Sequence, residues 1–152
     1  MNKKSARTLL VLSALVMALV ISPAAVSYPN GIQGVKDSGC NCHGAVTSSE
    51  VVPSITGLPD QYNYSETYEI TVSFVGGPSD PSNINQGGFN LWVSDGELSP
   101  SDATVQSYSV NEVSHTEAGN DQTSWTMTWT SPSSDRNVEF VLHTNSCLLY
   151  TS

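Results

Sequence analysis

Cys40, Cys42 and His43 fall within the run Gly39-Cys40-Asn41-Cys42-His43-Gly44, and they are the residues of this chain best equipped for chemistry. Two thiols and an imidazole are soft and borderline donors, and four chemistries suit them. The thiols can add across porphyrin vinyl groups with the neighbouring histidine as proximal iron ligand, as in haem c. The same three side chains can bind copper or zinc with a further ligand from elsewhere. The cysteines can close a small disulfide in an oxidising compartment, or act as redox thiols. The usual haem-attachment signature has two residues between the cysteines; here only Asn41 intervenes. In an extended Cys-x-Cys the side chains leave the same side of the backbone, roughly 6.6–7 Å apart. Gly39 and Gly44 allow a bend that brings both sulfurs and the imidazole to one porphyrin edge. On the residues alone haem, metal and disulfide stand level, with thiol redox chemistry below them.

Further ligands come from a short list, because the chain has three histidines, His43, His115 and His143. His115 falls in a polar stretch, residues 113–120, expected to be a loop before a tryptophan-rich strand. Loop histidines more often hydrogen-bond than ligate. His143 shares a face with Glu139 and Val141 and is expected to face solvent as an ordinary polar residue. Met127 alternates with Trp125 and Trp129, so it belongs to a core rather than to iron. Asp95, Glu97 and Asp102 lack the ordered spacing of a calcium loop. No nucleophile elbow organises the serines and histidines, so the chain is not expected to be an enzyme.

The cluster follows a secretory leader. Lys3, Lys4 and Arg7 precede an apolar run at residues 9–21, and small residues follow, with Ala25 at the −3 position of a cleavage after Ser27. This is the pattern of a signal peptide over residues 1–27, so the protein is expected outside the cytoplasm, secreted or anchored at the cell surface. The whole chain carries a formal charge of −9. Removing the leader leaves Lys36 and Arg136 against fourteen acids, formally −12. Such a surface repels the phosphates of nucleic acid and matches an anionic lipid surface poorly. A membrane connection is expected only through a lost or uncleaved anchor. The partner, redox or surface, is not named by the sequence. At the other end, Cys147-Leu148-Leu149-Tyr150-Thr151-Ser152 breaks the preceding alternation. It is the translation of a transposon end used in library preparation (TGT CTC TTA TAC ACA TCT). Residues 147–152 are therefore expected to be a non-native tail, and Cys147 is kept out of the disulfide arithmetic.

Elements able to position the cluster appear further along. Residues 28–50 are Gly- and Ser-rich without periodicity and read as an irregular segment carrying the cluster. From residue 51 onward the pattern has a period of two. Residues 67–74 place Tyr68, Ile70, Val72 and Phe74 on one face. Residues 88–94 do so with Phe89, Leu91 and Val93, residues 124–130 with Trp125, Met127 and Trp129, and residues 137–143 with Val138, Phe140 and Leu142. Such alternation marks strands with one buried face. Weaker strands are expected at residues 51–55 and 105–110, with Gly/Pro/Asp/Ser turns between. Six or seven short strands predict an all-β, immunoglobulin-like antiparallel β-sandwich over residues 51–146.

Several short stretches, in order, resemble a known family. After the leader and Gly-Cys-x-Cys-His-Gly come Ile55-Thr56-Gly57-Leu58-Pro59, Tyr68-Glu69-Ile70-Thr71-Val72 and Gly88-Phe89-Asn90-Leu91. Ser114-His115-Thr116, Trp125-Thr126-Met127-Thr128-Trp129-Thr130-Ser131-Pro132 and Val138-Glu139-Phe140 follow. Across residues 39–145 the chain is similar to the prokaryotic choice-of-anchor V group, itself similar to Reeler domains of extracellular proteins. The resemblance implies a secreted or surface-displayed β-sandwich, often followed by a C-terminal anchor. Many relatives carry the standard haem-attachment motif where this chain has Cys40-Asn41-Cys42-His43, which raises haem above metal and disulfide. It implies attachment at Cys40 and Cys42, iron ligation by His43, and His115 as second axial ligand. The expected function is thus a haem-binding or electron-transfer domain. The alternative is a Reeler-like adhesion or binding module whose cluster holds a disulfide or a structural copper or zinc ion through His43 and His115.

Overall fold

The computed structural model describes residues 29–39, 50–77, 82 and 84–146. Residues 1–28 with the leader, residues 40–44 with the cysteine cluster, and residues 147–152 lie outside the described residues. Within them, strands form two four-stranded antiparallel sheets that pack face to face. The first has the order β1 (Val52–Thr56), β2 (Thr67–Val75), β7 (Ser124–Thr130), β4 (Glu97–Pro100). The second has the order β5 (Val105–Ser109), β6 (Glu112–His115), β3 (Gly87–Val93), β8 (Phe140–Ser146).

The alternation in the sequence becomes the core. Pairing of β2 with β7 sets Ile70 opposite Met127 and Val72 opposite Trp125, and all four are buried. Phe89, Leu91 and Val93 of β3 and Val113 of β6 close the other side. The Phe89 and Trp125 rings lie 4.8 Å apart, and Phe140 meets Trp129 edge-on at 5.1 Å. Both indoles satisfy their buried N–H groups, as such rings require: Trp125 Nε1 donates to Gly119 O at 2.7 Å and Trp129 Nε1 to Asp95 O at 3.2 Å. On the opposite face of the first sheet the alternate residues pair as hydroxyls, Ser54 with Ser73 and Thr67 with Thr130.

Three expectations shift. The last strand starts at Phe140 rather than residue 137, because its partner β3 ends at Val93, which pairs with Phe140; Glu139 instead exchanges bonds with Ser94. β4 and β6 carry no signal in the sequence. β4 is four residues long, ends in Pro100 and forms a sheet edge, where a missing ladder donor is tolerated. β6 reads Glu-Val-Ser-His, and Val113, Ser114 and His115 are all buried, so there is no polar–apolar alternation to see. His115 therefore ends a strand and does not sit in a loop; a 3₁₀ turn, Glu117–Gly119, follows it.

Candidate functional site

The polar residues buried in the second sheet identify the site's scaffold. Asn90 and Ser114 are cross-strand partners, and Asn90 is also paired with His143 of β8. This row alternates with the core row of Leu91, Val113 and Leu142, so it faces away from the sandwich interior. Asn90 and Ser114 are nevertheless 0 % exposed. What covers them is the segment at residues 29–39, a strap laid across the outer face of this sheet.

The strap is held along its length by hydrogen bonds. At its start, Tyr108 OH donates to Asn30 O at 2.9 Å, Gln106 Nε2 bonds the same oxygen, and Glu117 N donates to Asn30 Oδ1 at 3.0 Å. Gly31 comes so close to Ser114 that a side chain there would collide with the serine, and its φ of +70° suits glycine. In the middle, Asn90 Nδ2 donates to Ile32 O at 2.8 Å and to Glu112 Oε1 at 2.9 Å, and Gly34 N donates to the same carboxylate at 2.7 Å. Val35 is 6 % exposed. Further on, the Lys36 ammonium lies 4.8 Å from the Trp92 ring centroid, within cation–π range, and 2.6 Å from Asp37 Oδ1. Ser38 and Gly39 both donate to Val35 O, which turns the chain.

The strap ends against His143. His143 Nε2 stands 3.0 Å from Lys36 O. A carbonyl oxygen only accepts, so Nε2 carries the proton and, in the neutral ring, Nδ1 keeps a free lone pair. A Cβ placed on Gly39 would lie 3.6 Å from that Nδ1. His143 is thus half-buried beneath the strap and is not the ordinary solvent-facing residue expected from its alternation. The alternation gave its face correctly; nothing in the sequence showed that the face is covered.

His115 sits near the strap's other end, with its carbonyl beside Gly31. Its ring fills the space that a side chain at Gly88 would need and lies 6.4 Å from the rings of both Phe89 and Trp125. Nδ1 accepts the Phe89 N–H at 3.1 Å and stands 3.2 Å from the Phe89 carbonyl oxygen. Burial holds its pKa below the ordinary histidine value, partly opposed by the contact with the Phe89 backbone. Its residual exposure is 9 %.

The predicted ligands Cys40, Cys42 and His43 lie outside the described residues. Among the described residues no group of three or more His, Cys, Asp or Glu side chains is placed to hold a metal. Two of the acids considered for calcium have partners: Asp95 pairs with Arg136 at 3.1 Å, and Asp102 caps the Thr104 N–H and hydroxyl, which holds its carboxyl below the usual range. No helix among the described residues is long and apolar enough to cross a membrane.

No family model matches the sequence, and no curated protein matches it. Among solved structures, the Reeler domain of human F-spondin (fragment 1) is similar with a TM-score of 0.45 and 20% identity, covering 62% of this chain and 74% of that one. The Reelin-N domain of F-spondin is similar with a TM-score of 0.45 and 21% identity over 62% and 70% of the two chains. A second fragment of the human Reeler domain gives 0.43 and 19% over 62% and 76%.

Proposed function

We propose that this chain is an extracytoplasmic, non-catalytic β-sandwich binding module whose Cys40, Cys42 and His43 hold a structural zinc or copper ion. The observation that carries this reading is the strap: it leads the chain to Gly39, directly before the cluster, and turns there against the His143 imidazole. The leader pattern and the acidic, Lys-poor composition support an extracytoplasmic setting. Two thiolates beside imidazole suit zinc or copper. A disulfide between Cys40 and Cys42 would need the backbone to bend from the extended spacing of roughly 6.6–7 Å to within about 6.8 Å.

Haem is less well served by the sequence spacing and by the surroundings of His115. The cluster is one residue shorter than the usual attachment motif. An axial ligand must also open a ring nitrogen to a macrocycle much larger than itself, and His115 is nine-tenths buried between Gly88, Phe89 and Trp125. The deciding experiment exports the full chain from a host with haem-maturation machinery, then compares elemental analysis, intact mass and absorption. The expected result is one zinc or copper per chain, lost in the Cys40→Ser and Cys42→Ser double variant. A Soret band retained after acid–acetone extraction overturns this in favour of haem c. A metal-free chain lacking the two thiol hydrogens overturns it in favour of the disulfide.

A further inference from the structure

The turn from Asn63 to Glu66, just before β2, contains a residue that folding does not explain. Glu66 N donates to Asn63 O at 3.4 Å and closes the turn. Ser65, its third residue, has a φ of +55°. Side chains are disfavoured in that backbone region, and a turn with positive φ at its third position ordinarily takes Gly or Asn there. Among the described residues Ser65 and Asn85 are the two non-glycines in this region, and asparagine tolerates it. Serine is the exception, and its hydroxyl brings no compensating bond. Ser65 N donates to Pro132 O at 3.1 Å, but Ser65 Oγ makes no hydrogen bond among the described residues. A strained residue whose side chain does nothing for the fold points to a role outside it.

Asn63 shows the same division between backbone and side chain. Its N–H donates to Tyr68 Oη at 2.7 Å, and its carbonyl accepts from Ser131 Oγ at 2.5 Å. Its side-chain amide makes no hydrogen bond among the described residues. Asn63 and Ser65 are both exposed, and Tyr64 between them is 60 % exposed. The backbone of the turn is thus anchored to β2 and to the residues just beyond β7, while the amide and the hydroxyl are left unused. Asn63-Tyr64-Ser65 is also the one Asn-x-Ser/Thr triplet in the chain, the acceptor sequence of N-glycosylation.

From these facts we infer that Asn63 is the acceptor of an N-linked glycan, added as the chain is exported. The donor is an oligosaccharide joined through C1 of its first sugar to a polyprenyl phosphate or pyrophosphate carrier. Asn63 Nδ2 forms the bond to C1 as the C1–O bond to the carrier phosphate breaks. The amide gives up one proton, and the carrier leaves with the bonding electron pair as its free phosphate. The hydroxyl two residues on is what the transferring enzyme requires, which accounts for a serine where glycine would suit the backbone better. The glycan stands on the first sheet, at the end where β2 begins and β7 ends, and the strap lies on the second. This inference rests on the extracytoplasmic setting and is independent of what the cysteines hold.

Secretion of the full chain from a eukaryotic host that glycosylates Asn-x-Ser/Thr supplies both donor and transferase. The expected result is a leaderless chain whose intact mass exceeds the sequence mass by whole hexose and N-acetylhexosamine units. Release by peptide N-glycosidase in heavy-oxygen water should convert Asn63 to labelled aspartate, located by peptide mass. Asn63→Gln and Ser65→Ala should lose the added mass, and Ser65→Thr should keep it. Ser65→Gly separates acceptor chemistry from folding. It should lose the glycan yet unfold at no lower urea concentration than the glycosidase-treated parent, because glycine adopts positive φ freely. A secreted parent chain without added mass overturns the acceptor site and leaves the extracytoplasmic setting intact. A Ser65→Gly chain that unfolds at clearly lower urea shows that the hydroxyl serves the fold, and overturns the argument for the site. A chain retained inside the cell with its leader uncleaved overturns the extracytoplasmic setting itself.

Discussion

Replacing Glu112 by Ala should release the middle of the strap without unfolding the sandwich. Glu112 Oε1 accepts from Gly34 N at 2.7 Å and from Asn90 Nδ2 at 2.9 Å. Hydrogen bonds to charged groups contribute about 1.5–3 kcal/mol each. The exposed Gly34 N–H regains water, and Asn90 Nδ2 keeps its bond to Ile32 O. Two bonds at the low end total about 3 kcal/mol, and discounting the rehydrated one leaves a loss of about 2 kcal/mol, or about thirtyfold in a local opening equilibrium. Core packing between the sheets does not involve Glu112, so the loss should be confined to the strap. Native-state hydrogen exchange tests this. The amides of Ser38 and Gly39, both bonded to Val35 O, should exchange about thirtyfold faster, while those of Ile70 and Met127 keep their rates. Unchanged exchange at Ser38 and Gly39 refutes the claim that this carboxylate fastens the strap. Equal acceleration at all four positions refutes its locality.

Trp125→Ala should cost about 3–5 kcal/mol in urea denaturation, since the indole is 1 % exposed and packs on Phe89 at 4.8 Å; a loss below about 1 kcal/mol would contradict the core assignment. Gly88→Ala should destabilise by about 1–3 kcal/mol through overpacking against the His115 ring, and much of that loss should vanish in the His115→Ala background, a coupling that a double-mutant cycle measures. His115 also predicts a pH dependence. Its folded-state pKa lies below the unfolded value, so the unfolded chain binds the proton more readily. Stability should be full above about pH 6.5 and fall as the pH drops through the folded-state pKa, and His115→Gln should abolish that slope in urea titrations. A slope that survives the substitution assigns it to another group.

The core was legible in the sequence because β2 and β7 bury one face only, and in β3 the apolar residues still alternate although Asn90 on its outer face is buried too. In β2, β3 and β7 the inward residues are aliphatic or aromatic, and on β2 and β7 the outward ones are mostly Ser and Thr. β6 was hidden by the opposite circumstance. One face of it meets the core through Val113 and the other meets the strap through Ser114, so a polar residue is as deeply buried as an apolar one. The same cover changes the meaning of His143. Its parity on β8 is plain from Phe140 and Leu142, but the bond to Lys36, 107 positions away in sequence, is a long-range contact that no local pattern encodes. Gly31, Gly34 and Gly39 were visible as an aperiodic, glycine-rich segment. Their purpose, a close approach at Ser114 and a turn beside His143, depends on what lies beneath them.

X-ray absorption at the zinc edge tests most directly whether the cysteine cluster holds a metal ion. It requires the zinc-loaded full chain carrying Cys147→Ser, compared with the same chain also carrying Cys40→Ser and Cys42→Ser. The account predicts two sulfur neighbours at about 2.3 Å and at least one nitrogen neighbour at about 2.0–2.1 Å, with both sulfurs lost in the variant. A first shell without sulfur, or one identical in the two proteins, contradicts it.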